Sequence, residues 1–311
     1  MATTSPAPAE PAADDGRPRK RNKRDKSYGS YLPLGSALRT YCATVSYDGS
    51  GFIGFQLQDL QDANKSNGAA AARTVQRVLE DALKRTTGET IRLRFASRTD
   101  KGVHAVGQVI AFASAVAVDD DSNDDTSVFL RAINNRLPDD VVITAMTRRV
   151  PADFEPRRQN KAKCYIYRLR HGATRLPLQR HQVWQMAKPL NVDAMVEAAG
   201  FLQSDEAQDF RMFTPSKALD EATSTWCTVT KVHLHTDADQ ILHVQVVGNR
   251  FLYKMVRTIV GVLVDVGLGK LTPQQVRDMV THPTDRTLVA GAPPHGLVLQ
   301  WIQLEECFEQ S

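Results

Sequence analysis

Apolar residues in this chain come in short stretches whose spacing keeps changing, from every second position to every third or fourth and back. That changing period is the strongest constraint on the fold. Alternation leaves one face of a strand apolar, and spacing near 3.6 leaves one stripe of a helix apolar, so strands and helices must bury their faces against one another. The longest apolar run, residues 256–268, covers thirteen positions and includes Arg257 and Asp265, short of the roughly 20 residues a membrane-spanning helix needs. A membrane span is excluded on these grounds.

In chain order, residues 41–47 (Tyr-Cys-Ala-Thr-Val-Ser-Tyr) read as a strand ended by a turn at Asp48-Gly49-Ser50-Gly51. Val75, Val78, Leu79, Ala82 and Leu83 recur at helical spacing, with Gly88 as a stop. Two alternating stretches follow, residues 91–95 and 108–112. A short helix is expected over 128–136, strands over 141–146 and 163–170, and a helix over 191–202 with Asn191 as its N-cap. Strands over 226–234 and 241–247 precede a long helix from about 251 to 266. Thr272-Pro273-Gln274-Gln275 supplies an N-cap, a proline at the first helical position and a capping-box glutamine, and the last strand covers 297–304. This order predicts an α+β fold with antiparallel sheets, its two halves of similar content meeting near residues 176–188. The expected divisions are 1–38, 39–176 and 177–311.

Charge is local. The chain has 39 Lys plus Arg against 35 Asp plus Glu, net +4, but residues 17–26 hold seven bases and one acid, and residues 119–125 hold five acids. Residues 1–38 carry too little apolar surface to offset the entropy of ordering, so they are expected to form a disordered basic arm, either a nuclear-localisation or phosphate-attracting patch or a solvated tail. The N-terminus has no apolar signal core, so a cytoplasmic or nuclear location is expected. Cys42, Cys164, Cys227 and Cys307 lie far apart with no CxxC pair, and the eight histidines show no ligand spacing; reduced thiols and no metal are expected. Asp48-Gly-Ser-Gly-Phe-Ile-Gly54 lacks the GxxxxGK[ST] pattern of a phosphate loop, and there is no GxSxG.

Residues 91–104 hold the most chemistry. As a strand through Arg98, Ile91, Leu93 and Phe95 share one face while Arg92, Arg94 and Arg98 share the other. Continued two residues, the arginine face carries Asp100, and Lys101-Gly102 turns the chain. A carboxylate among cations stays ionised, which suits a nucleophile; a surface ion pair at a strand end has the same spacing. On the strand over 163–170, Lys163, Tyr165 and Tyr167 share a face. Aromatic rings interleaved with bases hold unstacked nucleobases, although tyrosines also serve strand packing. On the long helix, Leu252, Met255, Val256, Ile259, Leu263 and Val266 form an apolar stripe, with Arg250, Lys254, Arg257, Thr258, Gly261 and Asp265 roughly opposite. Arg257 can pair with an active carboxylate from there; a solvated helix face reads the same way.

Six separated blocks resemble the tRNA pseudouridine synthase A family: Tyr47-Asp48-Gly49-Ser50-Gly51-Phe52 with Phe55, Gln56 and Gln58; Thr74-Val75-Gln76 with Leu79-Glu80; Ser97-Arg98-Thr99-Asp100-Lys101-Gly102-Val103-His104 continuing to Val109; Lys163 with Tyr165 and Tyr167; Phe251-Leu252-Tyr253-Lys254-Met255-Val256-Arg257 continuing to Gly261; and Ala292-Pro293-Pro294-His295-Gly296-Leu297. The resemblance implies a pseudouridine synthase fold of two similar halves whose antiparallel sheets form a central cleft. It implies isomerisation of uridine to pseudouridine in tRNA, in the anticodon stem-loop, with no cofactor, and a homodimer binding one tRNA across both subunits. Asp100 matches the family's nucleophile, Arg98 the arginine before it, Tyr165 the aromatic that stacks on the target base, Arg257 the partner of the aspartate, and Leu297 the apolar residue under the uracil. Lys163 and Arg94 join them as cations for the substrate. Phe55 stands where the family commonly has Trp, residues 59–72 and 119–125 look like insertions, and the 228–231 segment lacks the family's usual arginine. Two other readings are an RNA-binding paralogue without catalysis, disfavoured by the aspartate at 100, and the same chemistry on another RNA.

Overall fold

A computed structural model describes residues 38–57, 73–116, 126–219, 223–284 and 290–305. Residues 1–37 of the expected arm, the 59–72 stretch and the acidic 119–125 stretch lie outside the described residues. The strands are β1 (Arg39–Tyr47), β2 (Arg94–Phe95), β3 (His104–Ser114), β4 (Val141–Thr147), β5 (Asn160–His171), β6 (Trp184–Met186), β7 (Gln208–Asp209), β8 (Trp226–Cys227), β9 (Val229–Thr236), β10 (Leu242–Gly248) and β11 (Leu297–Leu304). The helices are α1 (Val75–Thr87), α2 (Ser127–Asn134), α3 (Val192–Gly200), α4 (Met255–Gly267) and α5 (Pro273–Thr281). Among the described residues no helix is long and apolar enough to cross a membrane.

The fold is α+β around one large, mostly antiparallel sheet. Its order is β4-β1-β3-β11-β5-β10-β9, with β2 added to β3 and β6 to β5. β11 closes the middle, running parallel to β3 through Val298–His104 and Leu299–Ala105 and antiparallel to β5. The last strand of the chain therefore sits between the strand that follows Asp100 and the strand that carries Tyr165.

Period-2 geometry explains how the middle of the sheet is buried. Tyr41, Ala43, Val45, Ile110 and Phe112 point into the main core with Leu79 and Leu83 of α1, while Cys42, Val109 and Ala111 point the other way into a smaller cluster under Phe154. Tyr41 stacks on Phe112 with ring centroids 5.2 Å apart, a pairing worth about 0.5–1.5 kcal/mol beyond its buried area. The three described cysteines are buried and free; burial pushes the Cys42 thiol up to about 12 and the Cys227 thiol up to about 11.

Local signals match the observed boundaries where the cap is written in neighbouring residues. Gly88 ends α1 with φ 78°, Asn191 caps α3 by accepting from Ala194 N, and Thr272 with Gln275 forms the full capping box of α5. Two expectations change. The strand expected through Arg98 is only Arg94–Phe95, because the chain then leaves the sheet edge to form the loop that carries Asp100. The long helix starts at Met255, not near 251, and it has no solvated face. Thr258 and Gly261 are buried with the apolar stripe, and only Arg257 and Asp265 are half-buried. Lys254, expected on the helix, is its N-cap in a left-handed conformation at φ 60°, which costs a long side chain about 1–2 kcal/mol.

Candidate active site

Asp100 lies in the loop between β2 and β3, and the loop is pinned along its length. The Gln108 side chain takes both main-chain groups of Ser97, accepting from its N at 3.2 Å and donating to its O at 2.7 Å. The Thr99 hydroxyl meets the Tyr47 phenol at 2.8 Å, and Thr99 O accepts from Phe55 N at 3.1 Å. Asp100 bridges to Gly54, Asp100 O accepts from Val103 N at 3.1 Å, and Gly102, at φ 78°, donates its N–H to Phe52 O. A residue other than glycine at position 102 would be strained in that turn.

The Asp100 carboxylate points at α4. Arg257 Nη1 donates to Asp100 Oδ2 at 3.0 Å, with the two side chains 13% and 24% exposed. Arg257 is itself held, its Nε donating to Ala292 O at 2.7 Å while Ala292 N donates to Arg257 O at 2.8 Å. A guanidinium fixed by a second acceptor keeps one geometry toward the carboxylate, which favours a charge-assisted hydrogen bond.

Tyr165 and Tyr167 enter from β5. Tyr165, 6% exposed, meets Ser97 Oγ at 2.8 Å and packs edge-on against Phe251 at 5.2 Å. Burial is the main cause that pushes its phenol up to about 12; the Ser97 hydrogen bond opposes this and the Asp100 charge adds to it, which places the ring within electrostatic reach of the carboxylate. Tyr167 donates to Pro293 O at 2.8 Å, and burial pushes its phenol up as well. Leu297 faces Tyr167 across the β5–β11 pairing and is buried.

The remaining candidates have contacts of their own. Lys163 Nζ donates to Ala96 O at 2.9 Å; burial, then the charges of Arg157 and Arg250, lower its ammonium to about 8. Arg94 is lowered by burial and feels Glu155 and Asp153, and Arg98 is exposed at the loop surface. Arg92, expected on the same basic face, instead pairs with Glu80 of α1 at 2.9 Å. Chain order thus brings Asp100, Arg257 and Tyr165 together and leaves Arg94 and Lys163 with neighbours of their own.

His104 received no role from sequence, yet it ties the site's pieces together. Its Nδ1 accepts from Gly49 N at 3.1 Å, and its Nε2 faces His181 O at 2.9 Å and His295 O at 3.1 Å. Two carbonyls require a proton on Nε2, so these partners place one there. Asp48 Oδ1 lies 3.1 Å from Nδ1 and also accepts from Ser50 N at 2.9 Å. A cavity of about 460 Å³ lies elsewhere, among Trp184, Met186, Val264, Leu268 and Pro293, and Asp100 does not line it. Among the described residues no group of three or more His, Cys, Asp or Glu could hold a metal ion.

Residues 43–157 and 207–303 match the family model described as tRNA pseudouridine synthase. The chain belongs to the tRNA pseudouridine synthase family. It is 38% identical over 266 residues to a tRNA pseudouridine synthase A of Geobacter sulfurreducens, covering 86% of this chain and 100% of that protein. It is 34% identical to the protein of the same name from Pelobacter propionicus, over 84% of this chain and 98% of that one. The tRNA pseudouridine synthase A 2 of Protochlamydia amoebophila is 31% identical over 89% and 99%. The matched segments of the pseudouridine synthase model include Asp100, Tyr165 lies between them, and Arg257 and Leu297 fall in the second.

Proposed function

We propose that this chain isomerises uridine to pseudouridine in tRNA, within the anticodon stem-loop, and that Asp100 is the nucleophile. The observation that supports it most is the Asp100–Arg257 pair, 3.0 Å apart beside the buried Tyr165. An arginine held by a second acceptor and aimed at a carboxylate, in a site largely shut off from water, is the arrangement a carboxylate nucleophile needs. The reaction breaks the N1–C1′ bond, turns the uracil, joins C5 to C1′ and releases the C5 proton while N1 takes one up, so no redox partner or group donor enters the balance. The target base must first leave its stack, at a cost of a few kcal/mol.

Tyr165 stacks on the flipped uracil, Leu297 underlies it, and Arg98, Arg94 and Lys163 meet the RNA in a cleft between the halves. A surface of this kind binds through local cations, whatever the net charge. The working form in this reading is a homodimer with one tRNA across both subunits, in the cytoplasm. Incubation with unmodified tRNA, followed by carbodiimide modification and primer extension, tests the reading. Stops in the anticodon stem-loop are expected, and an absence of stops on any tRNA refutes it.

A further inference from the structure

Ser97 has no part in the reading above, yet it is the polar contact of the stacking ring. Its hydroxyl oxygen lies 2.8 Å from the Tyr165 phenol oxygen. Its own main chain is fixed by Gln108, a fully buried residue whose amide answers both the N–H and the C=O of Ser97. One amide holding both groups sets the neighbouring peptide planes, and with them the direction of the Ser97 Cα–Cβ bond. The preceding residue is held as well, Ala96 N donating to Val109 O at 3.0 Å and Ala96 O accepting from Lys163 Nζ at 2.9 Å. Lys163 and Tyr165 share a face of β5, so two side chains of one strand reach back to two consecutive residues of the loop that ends in Asp100. On its other side, the Tyr165 ring rests edge-on against Phe251, a contact that limits tilt but gives the phenol oxygen no partner.

We infer that Ser97 is a positioning residue for the proposed reaction: held by Gln108, its hydroxyl fixes the Tyr165 ring in rotation and depth beside Asp100. The inference rests on the function proposed above. Burial keeps the phenol protonated at neutral pH, so the contact is between two neutral hydroxyls, and removing one leaves a buried polar group to find another partner by turning the ring. The effect falls on turnover, because the ring must meet the base in one orientation, and little on tRNA capture, which the cations carry.

The test compares wild type, Ser97→Ala, Ser97→Thr, Tyr165→Phe and the Ser97→Ala/Tyr165→Phe double variant on unmodified tRNA, reading kcat and KM from pseudouridine formed. Ser97→Ala is expected to lower kcat about tenfold, the size of one lost buried hydrogen bond, with KM within about twofold. Ser97→Thr, which keeps the hydroxyl, recovers most of the turnover. In the Tyr165→Phe background, adding Ser97→Ala changes kcat by less than about twofold, because both changes remove the same contact. Full kcat in Ser97→Ala overturns the inference, and so do losses that multiply in the double variant, since a purely structural role predicts that. A poorly folding Ser97→Ala leaves Ser97→Thr to decide against a wild-type-like Tyr165→Phe: if removing the phenol oxygen changes nothing, the contact has no bearing on turnover and the inference falls. An inactive wild type overturns the proposed function and this inference together, whereas an active wild type with an unresponsive Ser97 overturns this inference alone.

Discussion

Gly49 gives the sharpest steric test of how the Asp100 loop is held. It opens the turn after β1, and a Cβ added there would lie 2.1 Å from Val103 O and 2.5 Å from Val103 C. The two backbone segments must part by more than about 1 Å in all before the contact becomes an ordinary van der Waals one. Val103 N donates to Asp100 O, and Gly49 N donates to His104 Nδ1, so the displacement is delivered to the turn that carries the carboxylate. A misplacement of about 1 Å at a reacting group lowers rate about 100-fold, and overpacking of this kind destabilises by about 1–3 kcal/mol. Gly51, two positions on, is a matched control, since a Cβ there meets Arg73 Nη1 at 3.5 Å and Asp140 Oδ2 at 3.7 Å, both ordinary contacts. Single-turnover release of tritium from C5-labelled uridine in tRNA reads the chemistry, and thermal melting reads the fold. Gly49→Ala is expected to lose about 100-fold in rate with a lower Tm, and Gly51→Ala to stay within about twofold. A Gly49→Ala protein with wild-type rate and Tm would refute the claim that this turn sets the position of Asp100.

Replacing Arg257 with methionine leaves Asp100 without its cation and Ala292 O without its donor. Breaking such a mostly buried pair costs about 3–5 kcal/mol, so denaturant melts should show a clear loss and turnover should fall more than 100-fold; Arg257→Met with wild-type turnover contradicts the pairing role. Lys163, lowered to about 8 mainly by burial, carries its charge below that pH and loses it above, so KM for tRNA is expected to rise between pH 7 and 9 by titration of this group. Lys163→Arg, which stays charged, removes that rise, and a KM flat with pH in wild type speaks against a substrate contact. The sign for stability is separate: the unfolded lysine binds its proton up to about pH 10.4. Between about 8 and 10.4 the unfolded chain therefore holds more protons at this site, and folding stability gains from this group as pH rises through that window.

The sequence shows clearly whatever a few neighbouring residues decide. The Thr272–Gln275 box, the Gly88 stop and the strand over 297–304 each depend on contacts within a turn or along one strand, and each sits where expected. Period alone misplaces what tertiary contacts set. The start of α4 moves to Met255 because Thr214 Oγ1 takes Tyr253 O at 2.9 Å and Lys254 turns left-handed, and nothing local announces either. The helix reads as two-faced by spacing, yet Thr258 and Gly261 are buried, because a threonine that donates to Lys254 O and a glycine tolerate a core position. Arg92 shares a strand face with Arg94 in projection but is drawn to Glu80, a partner 12 positions earlier.

In the candidate site, Tyr165 is visible on a strand face and Arg257 on a helix face, Asp100 is picked out by its neighbouring arginines although it lies in a loop, and family resemblance supplies Leu297. The pinning residues are not visible that way. Gln108 sits within an apolar alternation and reads as one polar interruption, while its function depends on Ser97 lying across the β2–β3 turn. His104 has no spacing signal because its partners, His181 O and His295 O, are main-chain carbonyls 77 and 191 positions away. A histidine directly after an Asp-x-Gly-Val turn, rigidly placed by that turn, is the one hint that could have singled it out.

In the proposed function Asp100 performs the chemistry and Arg257 serves it. The direct test is pseudouridine formation by Asp100→Asn on unmodified tRNA, with tRNA binding measured on the same protein by filter retention. Asparagine keeps the size and can still meet a guanidinium neighbour through its carbonyl oxygen, so binding is expected within about threefold of wild type, while the loss of the nucleophile lowers turnover by more than about 1,000-fold. An Asp100→Asn protein that forms pseudouridine at the wild-type rate would contradict the account.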